Sequence, residues 1–238
     1  TGSGKTTTLH AVLGHINKPE RKIWTAEDPV EITQPGLQQV QMLPKIDFTF
    51  ATAMRAFLRA DPDVILIGEM RDHETASIGV EASLTGHLVL STLHTNDASQ
   101  SITRLMNMGV PGYNITSAVN LVMAQRLIRT LHKCKKKLEL PPEALLQAGF
   151  EQEDFDDLKL YQPIGCSECN EGYRGRTGIF EVMPISESIA RIILEEGNAI
   201  RINEQARQEG ILDLRQSALN KVAVGITDLI EINRVTKD

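Results

Sequence analysis

The sequence predicts an α/β fold: a doubly wound, mainly parallel sheet with helices on both faces, then a small cysteine-containing part and a helical tail. Three observations carry that expectation. Residues 2–8, Gly-Ser-Gly-Lys-Thr-Thr-Thr, read as a glycine turn that opens a helix. Asp63-Val64-Ile65-Leu66-Ile67-Gly68-Glu69 is an unbroken apolar run with an acidic end, the pattern of a strand buried on both faces. Strand-like and helix-like segments then alternate through residue 130. With 238 residues, 41% of them apolar, the chain can bury a sizeable core.

Taken in order, Thr6 to Ile16 has helical spacing and stops near Asn17-Lys18-Pro19. Lys22 to Ala26 is a short strand that delivers Glu27-Asp28-Pro29-Val30-Glu31, where Pro29 ends it and leaves three carboxylates in a loop. Gln38 to Met42 alternates like an edge strand. Phe50 to Ala60 is helical, with Met54, Phe57 and Leu58 at core spacing. After the run ending at Glu69, Met70-Arg71-Asp72 continues the loop and His73 to Leu84 forms a helix. His87 to Leu90 reads as another buried strand, and Asp97 as the N-cap of a helix to Met108. Beyond residue 130 the pattern changes. Pro142 to Ala148 is a helix, Ile179 to Met183 a short strand, and the chain from Ser186 is helical in segments with Ile189, Ile192 and Ile193 on one face. The expected domains are 1–130, 131–180 and 181–238.

A net charge of −6 and 4% aromatics exclude nucleic acid as the main ligand, because phosphate-backbone binding wants a basic face and base stacking wants rings. The basic stretch Lys133 to Lys137 is short and reads as a solvated face. No apolar run approaches membrane-spanning length. Three cysteines, all between 134 and 169, suggest a metal site in a reducing compartment rather than a disulfide framework.

Gly4-Lys5-Thr6 is the closing half of the phosphate-binding pattern G-x-x-x-x-G-K-[ST]. Gly2, Ser3 and Gly4 supply backbone N–H groups. Lys5 is expected to reach the β- and γ-phosphates of ATP, Thr6 to hold Mg²⁺, and Thr7 to follow at the helix N-terminus. The opening glycine would lie two residues before Thr1. The chain is therefore expected to be a fragment of a longer protein, with a weakened phosphate cradle.

Four ordered segments carry a resemblance. They are the half loop, Thr25-Ala26-Glu27-Asp28-Pro29-Val30-Glu31, Leu58-Arg59-Ala60-Asp61-Pro62-Asp63 running into Ile67-Gly68-Glu69-Met70-Arg71-Asp72, and Gly86-His87-Leu88-Val89-Leu90-Ser91-Thr92-Leu93-His94-Thr95-Asn96. Together they resemble the signature boxes of the secretion ATPase superfamily, which drives type II secretion and type IV pili. The cysteine module resembles one found in pilus assembly and type II secretion motors and generally missing from pilus retraction motors, whereas Arg215-Gln216-Ser217 and the ending Ile232-Asn233-Arg234-Val235-Thr236 are more similar to pilus assembly motors than to secretion motors. The resemblance implies a RecA-like ATPase core, a hexameric ring, an inner-membrane platform protein with pilin machinery as partners, and a cytoplasmic place at the membrane without insertion. It implies that Glu69 acts as general base or water-orienting group, with Glu27, Asp28 and Glu31 acting around Mg²⁺ and water. His94 would sense the γ-phosphate, and Arg71, Arg55 and Arg59 would stabilise charge. The residues alone leave open a strand-end Glu69 paired with Arg71, and a packing role for His87. A type II secretion motor and a nucleotide-gated scaffold with little turnover are the alternative functions.

Cys166-x-x-Cys169 offers two thiolates from one turn, and Cys134 a third. His132 is the expected fourth ligand of a structural Zn²⁺, although His-x-Cys is a tight spacing. Three free thiols are the alternative.

Overall fold

The computed structural model describes residues 2–236. In chain order the first elements are α1 (Lys5–Ile16), β1 (Ile23–Glu27), β2 (Gln38–Gln41), α2 (Phe50–Leu58), β3 (Val64–Ile67), α3 (His73–Leu84) and β4 (Leu88–Ser91). They are followed by α4 (Ala98–Asn107), α5 (Gly112–Ala118), β5 (Leu121–Leu131), β6 (Lys136–Lys137), α6 (Pro142–Ala148), β7 (Tyr161–Gln162) and β8 (Tyr173–Pro184). The chain closes with α7 (Glu187–Leu194), α8 (Ala199–Gln208), α9 (Leu214–Ala223) and α10 (Leu229–Thr236).

The chain forms two compact units. One, comprising Lys5–Val122 and Met183–Gln208, holds a four-stranded sheet in the order β2-β1-β3-β4. Every neighbouring pair is parallel: Ala26 lies opposite Val40 and Ile67, and Ile67 opposite Ser91. Side chains of a strand alternate between faces, and the packing follows that rule. Ile65, Ile67, Trp24 and Ala26 pack with Met54 and Phe57 of α2 and Ile78 and Ala82 of α3. Val64, Leu66 and Ile23 pack on the other face with Leu9 and Leu13 of α1. Helices thus cover both faces, which explains why β3 needs apolar residues at all four positions. Asp72 and Asp97 accept the Thr75 and Gln100 N–H groups and so cap α3 and α4. Helices α7 and α8 pack on α5 and α4.

One expectation fails at the sheet edge. His87 to Leu90 was expected as a buried strand, yet β4 is the edge strand, with Leu88 exposed and Val89 to Ser91 half-buried. An apolar strand of this kind looks the same in sequence at an edge and in the middle.

The other unit is Met123–Val182 with the described residues before Lys5 and after Gln208. Its core joins Ile128 and Ile179 to Leu145, Phe150, Leu160, Ala218, Leu219, Val222 and Ile232. Strands β5 and β8 pair with each other, as do β6 and β7. Compactness thus groups the chain otherwise than the expected 1–130, 131–180 and 181–238. The reason is physical: β5 runs through residue 130, β8 through 180, and one apolar core ties the cysteine region to α9 and α10. The strand expected over Ile179 to Met183 is the end of the longer β8.

Candidate active site and cysteine cluster

Gly2 and Gly4 have positive φ angles of 78° and 87°, a backbone state that glycine adopts freely. A Cβ on Gly4 would also stand 2.8 Å from the Gln125 side-chain nitrogen. That nitrogen donates to the Ser3 carbonyl at 2.9 Å, so strand β5 fixes the turn from behind. Helix α1 begins at Lys5 and has no acidic residue in its first turn, which leaves its N-terminal dipole to an anion. Lys5 and Thr6 are half-buried and Thr7 is exposed.

Glu69 lies two residues beyond β3 and is 9% exposed. Both of its carboxylate oxygens are engaged. Arg71 pairs with Oε1, and His94 Nε2 donates to Oε2 at 3.0 Å. Hydrogen bonding from Arg71, and then from His94, holds the Glu69 carboxyl below the usual carboxylate range against a burial that opposes it. Glu69 and, more weakly, Asp28 raise the Arg71 guanidinium in return. The turn that aims Glu69 is tightly set: Gly68 N–H donates to the Ala26 carbonyl at 2.7 Å, and Thr92 Oγ1 donates to the Gly68 carbonyl at 2.7 Å. A Cβ on Gly68 would meet the Ala26 carbonyl at 3.0 Å.

Glu27 ends β1 and is 4% exposed. Thr25 Oγ1 donates to its Oε1 at 2.6 Å, Gln39 Nε2 to the same oxygen at 3.0 Å, and His10 Nε2 to Oε2 at 3.1 Å. Asp28 and Glu31 in the following loop are exposed. Arg55 pairs with Glu74 on the surface, and Arg59 is exposed. His87 donates from Nδ1 to the Ala82 carbonyl at 2.9 Å, so it caps the end of α3.

The structure therefore brings Glu69, Arg71 and His94 together, with Asp28 near enough to act on Arg71. It brings Arg55 and His87 to other partners. Sequence reasoning missed His10, Gln39, Thr92 and Gln125. His10 was detectable: it stands three residues before Leu13 on a helix whose Leu13 faces the sheet, and an inward histidine needs a polar partner.

In the second unit, His132, Cys134, Cys166 and Cys169 place one ligand atom each within 4.8 Å of the others. Cys166 and Cys169 sulfurs are 3.7 Å apart, Cys134 and Cys169 sulfurs 3.9 Å, and His132 Nδ1 is 3.4 Å from the Cys166 sulfur. A zinc–sulfur bond of about 2.3 Å gives tetrahedral sulfur–sulfur edges of about 3.8 Å, so the donor set fits zinc. The tight His-x-Cys spacing works because Lys135 N–H donates to the His132 carbonyl and turns the chain at Cys134. His132 is 6% exposed; its Nε2 lies 4.0 Å from the Glu168 carboxylate, beyond hydrogen-bond reach, and Lys133 pairs with that carboxylate at 2.9 Å. Burial pushes the Cys134 thiol up. Burial acts the same way on Cys169 and is its largest single influence, but hydrogen bonds from the Cys166 N–H and thiol, the Gly172 backbone and Cys134 together outweigh it, and the thiol lies below its usual value.

Residues 1–234 match the family described as "Type II/IV secretion system protein". The type IV pilus assembly ATPase PilB of Pseudomonas aeruginosa is 54% identical over 239 residues, covering 100% of this chain and 42% of that protein. The type II secretion system ATPase E of Vibrio cholerae is 47% identical over 244 residues, covering 100% and 47%. This chain thus spans less than half the length of these curated relatives. Among solved structures, the pilus retraction motor PilT with bound ADP superposes with a TM-score of 0.72 over 100% of this chain and 59% of that one. At 24% identity, that likeness speaks to the fold. The chain belongs to the type II/IV secretion system protein family.

Proposed function

We propose that this chain is the ATP-hydrolysing part of a motor that powers type IV pilus assembly. The observation that carries the reading is Glu69, a part-buried carboxylate closing the central strand β3 with Arg71 and His94 on its two oxygens. The identity to the named pilus assembly ATPase, 54% against 47% for the secretion ATPase, favours pilus assembly over type II secretion.

The turn Gly2-Ser3-Gly4 and the start of α1 bind the phosphates through backbone N–H groups, and Lys5 neutralises their charge. Thr6 would hold Mg²⁺, with Asp28 and Glu31 outside it; the ion supplies charge neutralisation at the phosphates. Glu69 orients and polarises the attacking water. Pairing with Arg71 holds the carboxyl below its usual range, which suits an orienting group better than a proton store. His94, more than half exposed, is the residue placed to report the γ-phosphate to Glu69. His132, Cys134, Cys166 and Cys169 would hold a structural Zn²⁺, whose closed site supplies folding energy and no chemistry.

The whole protein acts as a homo-hexameric ring in the cytoplasm, docked through a platform protein at the inner membrane and working on pilin. Among the described residues no helix is long and apolar enough to cross a membrane. The test is complementation. The full-length protein should restore surface pili to a strain lacking its assembly ATPase, and should not restore export to one lacking its type II secretion ATPase. The reverse outcome would assign it to secretion.

A further inference from the structure

The residues around Glu27 form a closed ring of hydrogen bonds. His10 Nε2 donates to Glu27 Oε2 at 3.1 Å, and Gln39 Nε2 donates to Glu27 Oε1 at 3.0 Å. Gln34 N–H donates to Gln39 Oε1 at 2.8 Å, and Gln34 Nε2 returns to the His10 carbonyl at 2.8 Å. The ring joins four pieces of chain. His10 is on α1, the helix that follows the phosphate loop; Glu27 and Gln39 are on adjacent parallel strands; Gln34 is in the loop that carries Asp28 and Glu31. Gln39 Nε2 also donates to the Ile32 carbonyl, and Asn17, just past the end of α1, donates to the Pro35 carbonyl at 2.8 Å.

Glu27 is badly placed to serve a metal directly. It is 4% exposed, and three protein donors occupy its oxygens. Turning it outward would leave His10, 2% exposed, with no partner at either ring nitrogen, since His10 Nδ1 already has none. A buried polar ring is also a poor way to gain stability, because apolar side chains of similar size would pack there at less cost in desolvation. What the ring does, together with the Asn17 bond, is fix the acidic loop to the phosphate-loop helix.

We infer that His10 is a positioning residue of the nucleotide site. Through Glu27, Gln39 and Gln34 it makes α1 and the loop of Asp28 and Glu31 move as one piece, so Glu27 acts as a strut and not as a ligand. This inference rests on the ATP-hydrolysis reading of the site.

The test uses phosphate release by the full-length protein at varied ATP and Mg²⁺. His10→Leu should lower kcat at least about tenfold, because small misplacement of a reacting group is costly, with KM for ATP and half-saturating Mg²⁺ within about twofold. His10→Gln, whose terminal amide can donate where Nε2 does, should recover kcat to within about threefold. The His10→Leu, Glu27→Gln double variant should be no slower than the slower single one, since both break the same link. Should His10→Leu not fold, Gln39→Leu cuts the ring elsewhere and takes its place with the same expectations. A tenfold higher Mg²⁺ requirement in Glu27→Gln alone would overturn the inference by placing Glu27 at the metal; so would wild-type kcat in His10→Leu. If the wild-type protein released no phosphate, the hydrolysis reading would fail by itself. The ring would then be judged by amide exchange over residues 28–37. Faster exchange in His10→Leu, reversed in His10→Gln, would support the link, and unchanged exchange would refute it.

Discussion

Glu231 shows how this chain treats a charge that it cannot solvate. Its side chain is fully buried, yet Arg234 and Arg129 both donate to its oxygens, and the Arg129 backbone N–H adds a further bond. Burial raises its carboxyl, but those donors outweigh it and bring the value down to about 2. Because the folded value lies below the ordinary carboxylate value, the stabilisation is complete above about pH 5 and is lost as pH falls through about 4 to 2. Arg129→Met should destabilise the unit by about 2 kcal/mol at pH 7, toward the low end for a broken buried pair, because Arg234 remains and both guanidinium groups are partly solvated. Urea midpoints at pH 7 and pH 3 check this; the variant's deficit should shrink at the lower pH. At the same scale, the sequence told more about Glu69 than about Glu27. An acid after an apolar strand announces itself, whereas the partners that bury Glu27 come from positions 10 and 39 and carry no shared motif.

At the scale of elements, what was legible is what local spacing controls. The apolar period expected over Phe50 to Ala60, the capping Asp97, and the unbroken run of β3 each determine their own structure, whereas the cap that Asp72 provides was not read from the sequence. Strand order and the pairing of β5 with β8 depend on contacts between distant residues, so β4 was expected inside the sheet and lies at its edge. The junction of β1 and β3 yields a direct prediction. Gly68→Ala would press a Cβ against the Ala26 carbonyl, a backbone atom that cannot swing aside. It should cost about 1–3 kcal/mol of stability and lower phosphate release by displacing Glu69, as thermal melts and turnover would show. The cysteine cluster yields another. Purified full-length protein should carry one zinc per chain by elemental analysis, and Cys169→Ser should lose most of it and lower the melting temperature. Less than a tenth of an equivalent, with three freely titrating thiols, would leave the cluster metal-free.

For the molecule as a whole, the acidic net charge offers little to a nucleic-acid backbone, and membership of the type II/IV secretion system protein family is compatible with the motor proposed above. The proposed function stands or falls on whether this chain hydrolyses ATP by a water that Glu69 orients. Glu69→Gln tests it most directly, because the amide keeps the shape of the side chain and loses the charge that Arg71 and His94 hold. The measurement is steady-state phosphate release by full-length wild type and variant, alongside nucleotide affinity by calorimetry. The variant should keep its nucleotide affinity within about threefold while kcat falls at least about a hundredfold. Turnover at the wild-type rate would remove Glu69 from the chemistry.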